Sequence, residues 1–173
     1  MKERTELIRA QRAIEIEDQT ILGFLVALEV GGKQALLLRL GADGNIHRLG
    51  TGSLEKLERD RFIGHLDPEV FRELASKITP GLLSWCGQSR SHPAPRGEVC
   101  ELVVAFKKAD GPELTTAWRY GTHSKWPPEE ILDFVTEAVR ATDPWYEEQK
   151  KELQRKTRRA EYEWWQFFSF PSA

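Results

Sequence analysis

Residues 20–50 read TILGFLVALEVGGKQALLLRLGADGNIHRLG, and the fold class turns on them. Two apolar runs, Thr20–Val30 and Lys33–Leu40, flank Gly31-Gly32. Gly-Gly between such runs predicts a β-hairpin, because the tight hairpin turns need a positive φ that glycine adopts without a steric penalty. Asp43-Gly44 repeats the signal ahead of Asn45–Gly50, which extends the hairpin into a three-stranded antiparallel meander.

Register follows if both turns are two-residue loops, since direct partners share a face. The second hairpin then pairs Leu40 with His47, Arg39 with Arg48 and Leu38 with Leu49. His47 joins a leucine-lined face, and Arg39 and Arg48 oppose each other on the other. Two opposed arginines form a candidate carboxylate or phosphate site, because guanidinium favours bidentate anion contacts. A three-residue turn would break this register; otherwise two solvated arginines at the end of a sheet are the plainer reading.

Outward from the meander, residues 3–16 carry Leu7, Ile8, Ile14 and Ile16 among charges and suggest a short amphipathic helix. Residues 49–66 open on Gly-Thr-Gly-Ser, lack a phosphate-loop ending, and read as a turn before a short helical stretch. Asp67-Pro68 then caps a helix whose stripe is Val70, Phe71, Leu74 and Ile78, ended by Thr79-Pro80-Gly81. Residues 84–97 lack periodicity and predict a long loop. A second hairpin follows around Asp110-Gly111, with Cys100, Leu102, Val104 and Phe106 on one stripe and Leu114, Thr116, Trp118 and Tyr120 on its partner. Pro127-Pro128 starts a helix with Ile131, Leu132, Val135, Ala138 and Val139 inward, and Asp143-Pro144 is expected to interrupt and restart it. The expectation is an α+β fold. An antiparallel or mixed sheet of about five strands is packed by helices over residues 1–143, with a C-terminal amphipathic helix and aromatic tail over 144–173.

Composition bounds the function. The chain has 173 residues, 40% apolar and 30% charged, with a formal charge of −2, which argues against a general polyanion binder. Cys86 and Cys100 are the only cysteines, too few for a disulfide scaffold, so a reducing cytoplasmic setting is expected. The charged N-terminus has no apolar signal centre, and the run Ile21–Val30 is too short for a membrane span.

The tail carries the strongest signal. Trp164, Trp165, Phe167, Phe168 and Phe170 crowd together after a basic run, and soluble proteins rarely leave such a patch in water. With Trp145 they form the candidate interaction set: a clamp on the chain's own domain, or an anchor for another protein or a second copy. Lys150, Lys151, Arg155, Lys156, Arg158 and Arg159 beside these aromatics raise a single-stranded nucleic-acid reading, weakened by interleaved glutamates. Cys86, His92 and His123 form the alternative site, for a small enzyme or ligand-binding domain built on the 84–97 loop and the 120–126 segment. With Cys100 they make a chemically suitable zinc set, but no close Cys or His pair has ligand spacing, so no metal or other cofactor is expected. No residue set has a catalytic signature. The leading expectation is a non-catalytic interaction module.

Overall fold

The computed structural model describes residues 14–16, 19–53 and 57–168, with side chains over 20–53 and 57–159. Strands β1 (Ile14–Ile16), β2 (Gln19–Val30), β3 (Lys33–Gly41), β4 (Asn45–Leu49) and β5 (Arg61–His65) come first. Helices α1 (Pro68–Ala75) and α2 (Pro80–Leu83) follow, then β6 (Ser89–Ser91), β7 (Val99–Lys108), β8 (Leu114–Gly121) and α3 (Glu129–Phe168). The fold is α+β. Seven strands lie in the order β5-β4-β3-β2-β7-β8-β6, and β1 pairs with β2 off that path. Every pairing is antiparallel except that of β6 with β8.

Both predicted hairpins form. Val30 pairs with Lys33 across Gly31-Gly32, and β7 and β8 pair from Val99–Gly121 to Phe106–Leu114 around the Asp110-Gly111 turn. The inward stripes are those the alternation implies. Phe24, Val26, Leu38, Leu40, Leu102, Val104, Phe106 and Trp118 are buried beneath α1 and α3, whose Phe71, Leu74, Ile131, Phe134 and Ala138 complete the core. Phe134 stands edge-on to Phe24 at 5.2 Å and to Phe106 at 5.3 Å, which pins α3 across the sheet centre.

The register of β3 with β4 differs by one residue from the two-residue-loop expectation. Three residues separate these strands, and the pairs are Leu40–Ile46, Arg39–His47, Leu38–Arg48 and Leu37–Leu49. Two bonds hold the extra residue in place. The Ala42 amide donates to the Leu22 carbonyl at 2.8 Å, extending the chain along β2, and the Asp43 carboxylate accepts from the Asn45 amide at 3.0 Å. A one-residue shift reverses which face every side chain takes. Arg39 and Arg48 therefore lie on opposite faces. His47 stands beside Arg39, and Arg48 enters the core.

Five further elements depart from expectation, two of them being α2, which Thr79 caps where only a helix end was read, and β6, which lies inside the expected 84–97 loop. Of the helix expected over residues 3–16, residues 14–16 form strand β1, and the rest lies outside the described residues. The stretch before Asp67 holds strand β5 rather than a helix, paired with β4 from Asn45–His65 to Leu49–Arg61. Helix α3 runs through Pro144 without a break. A proline removes one intrahelical donor and crowds the preceding turn. Here Arg48 donates to the Val139 carbonyl at 3.1 Å and to the Thr142 hydroxyl at 2.6 Å, binding that turn from the sheet side, and Pro144 itself is exposed. The inward stripe of α3 also rotates slightly from expectation: Phe134 is buried and Leu132 faces out.

Candidate functional site

The root of α3 is a polar and aromatic lock. Arg48 is fully buried, and its guanidinium reaches the Gly50 carbonyl at 3.4 Å, Val139, Thr142 and the Asp143 carboxylate, while lying 4.7 Å over the Tyr146 ring. The Tyr146 hydroxyl accepts from the Gly50 amide at 2.8 Å and donates to the Asp60 carbonyl at 3.3 Å. Burial, with Glu58 nearby, pushes the Tyr146 hydroxyl up to about 12, so it stays a neutral donor throughout the working range. Lys150 closes the lock with ion pairs at 2.7 Å to both Glu58 and Glu147. Trp145 packs on β5 against Gly64, where a methyl group would lie 2.8 Å from the indole. Glycine there leaves the room that the ring fills.

Beyond Lys150 the described side chains of the helix turn to solvent. Residues 151–159 are exposed in succession on every side of the helix, Leu153 included at 40%. The helix continues to Phe168, and 18 residues beyond Lys150 span about 27 Å at 1.5 Å per residue. Trp164, Trp165, Phe167 and Phe168 lie on this extension, described by backbone alone, and Phe170 lies outside the described residues. Acids engage several of the basic residues: Lys150 as above, Lys156 by Glu152 at 2.8 Å and Arg155 by Glu148 at 3.6 Å. Such pairing weakens the case for phosphate contacts along this face.

The alternative loop set is dispersed among different neighbours. Cys86 is half-buried against the core, and burial pushes its thiol up. His92 turns its ring edge-on to Trp126 at 5.6 Å and accepts from the Ala94 amide through Nδ1 at 3.1 Å. His123 is exposed beside Gly97. Cys100 is buried, its thiol raised by burial and by Glu98. Among the described residues no three His, Cys, Asp or Glu side chains gather to hold a metal ion. A nucleophilic cysteine needs a lowered thiol pKa. Both thiols are therefore expected to react with iodoacetamide at pH 8 more slowly than free cysteine, followed by intact mass; faster alkylation of Cys86 would revive a nucleophilic role.

What organises this loop is aromatic. Arg90, on β6, lies 4.9 Å over Trp85 and 5.6 Å over Trp118, and Trp118 meets Trp126 edge-on at 4.9 Å. Alternation on β8 places Trp118 inward, but nothing in the loop's composition announced that Arg90 would stack between two indoles. No protein-family model, curated protein or solved structure matches the chain.

Proposed function

We propose that this protein is a non-catalytic interaction module whose C-terminal helix is a docking arm for another polypeptide chain, a partner or a second copy. The observation that carries the reading is the run of exposed residues from Lys151 to Arg159, which separates the locked root from the aromatic tip. A clamp on the chain's own domain would bring the helix middle down onto the sheet. Instead the side chains from Lys151 to Arg159 stay exposed, and the sequence beyond them holds Trp164, Trp165, Phe167 and Phe168. Burying each aromatic side chain is worth about 1.5–3 kcal/mol, so a few of them in a partner's groove suffice for stable docking. Tryptophan also recurs as an interface hot spot.

The test pairs light-scattering mass with crosslinking. The full chain is expected to associate, with itself or with a captured partner, and a truncation ending at Ala160 to stay folded and monomeric. A photo-crosslinking residue at position 164 is expected to capture a different chain. A crosslink to the chain's own sheet or helices, or a monomeric full chain whose truncation unfolds, would overturn the proposal and make the tail a clamp.

A further inference from the structure

The face of the sheet opposite α1 and α3 carries a second feature, independent of the docking arm. Strand alternation places Gly23 and Gly41 on this face, and they are direct partners on β2 and β3. Two neighbouring strands thus lack side chains of their own at the same level, where only the Asp43 carboxylate lies over Gly41, and Ala105 on β7 adds only a methyl group. The result is a hollow of about 940 Å³. That volume falls within the range of small-molecule sites, roughly 300–1,000 Å³.

The row beside the glycines crosses five strands: Ile63, His47, Arg39, Leu25 and Ala105 are successive partners. Two cationic or hydrogen-bonding groups are thereby set between apolar ones. Ile63 is 76% exposed, a large side chain for a β-branched residue to leave in water. Arg39 makes no hydrogen bond or ion pair with the described residues. The His47 Nε2 atom is buried and has no hydrogen-bond partner among them. A buried polar atom without a partner is costly, and a ligand oxygen would satisfy it. Rim charges narrow the ligand further. Asp43 is held by Asn45 through its amide and Nδ2, and Glu113 lines the same hollow as Lys107. Two carboxylates on the rim disfavour a dianion and leave Arg39 with His47 as the end that suits one negative charge.

We infer that this hollow binds a small amphipathic monocarboxylate, its carboxylate on Arg39 and His47 and its apolar body along Leu25, Ala105 and Ile63. Arginine provides the bidentate contact and His47 a second donor. Burial first, then the charges of Arg61 and Arg39, lowers the affinity of His47 for a proton. Asp43, Glu113 and Lys107 are the other charged groups lining the hollow. A carboxylate seated beside the ring would shift its titration back upward.

The experiment is calorimetric titration of the full chain with octanoate, octanol and inorganic phosphate, with the His47 ring followed by NMR. Octanoate is expected to bind saturably, at least about tenfold more tightly than either control, because a hydrogen bond to a charged group contributes about 1.5–3 kcal/mol. Arg39→Gln, at an exposed position, is expected to weaken it by about tenfold or more and to abolish the upward His47 shift. No saturable octanoate binding, equal binding by Arg39→Gln, or phosphate binding as well as octanoate would each overturn the inference.

Discussion

Replacing Arg48 with alanine is expected to cost about 3–5 kcal/mol of stability, the range measured when one member of a buried charged network is removed. Arg48 has no exposed surface, yet it touches the strand end at Gly50 and three residues of α3, Val139, Thr142 and Asp143. Its loss strands acceptors and empties the space over the Tyr146 ring. Asp143 is half-exposed and can be rehydrated, so Asp143→Asn is expected to cost much less than Arg48→Ala. Arg48→Met, which refills the volume without the donors, should fall between them, since refilling removes the cavity contribution but not the unsatisfied acceptors. Urea unfolding followed by tryptophan fluorescence and by helical dichroism measures the series. A loss below about 1 kcal/mol for Arg48→Ala, in the range of exposed ion pairs, would reduce the network to a bystander.

Gly50→Ala is expected to be as damaging, by a different route. Gly50 has φ +73°, and an added Cβ would overlap the Ala35 carbonyl oxygen and lie 3.0 Å from its carbon. That oxygen belongs to β3 and accepts from the Gly52 amide at 3.0 Å, so it cannot retreat without breaking a second contact. The same glycine donates to Tyr146 and accepts from Arg48, which means a displaced backbone would loosen the lock as well. A left-handed conformation alone costs about 1–2 kcal/mol for a residue with a Cβ. Gly32→Ala isolates that contribution, because Gly32 has φ +74° and nothing within 4 Å of its added carbon. Thermal unfolding of the two variants is expected to place Gly50→Ala at least about 2 kcal/mol below Gly32→Ala, as an overpacked position should. Equal losses would mean that the 50–53 segment yields freely.

Much of the fold could be read from the residues, and particular positions explain why. The hairpins at Gly31-Gly32 and Asp110-Gly111 join strongly apolar alternating runs, so turn chemistry and burial agree. The second turn was ambiguous because its outcome depends on Ala42, whose amide bonds to Leu22 on a neighbouring strand. No local pattern specifies that partner. The consequence is large for a candidate site: Arg48 passes from the open face into the core, and His47 takes its place beside Arg39. Pro144 misled for a similar reason, since the turn before it is bound by a side chain from β4. Strand β5 was hidden by its brevity and by Gly64, a residue disfavoured in strands that here makes room for Trp145. The aromatic tail was evident from composition alone, and so was its need for cover. The mixed charges between Lys151 and Arg159 already imply a helix that buries little of its middle, as observed; what they could not convey is what covers the aromatic tip.

The strand order has a consequence for how the chain reaches this structure during synthesis. Strand β2 lies between β3, its immediate successor, and β7, which emerges from a ribosome only after β4, β5, α1, α2 and β6. The growing chain can zip up its first meander early, but half of that central strand's hydrogen bonds wait for a distant partner. The final seal comes later still: Arg48 and Thr142 are 94 residues apart, so the arginine remains without its helix until that whole intervening stretch has been made. Closing contacts at such separation favours slow, late condensation. In the finished sheet Arg48 stands directly opposite Leu38, so any intermediate that forms this pair early carries a charge on its apolar face, a device that opposes strand-edge association.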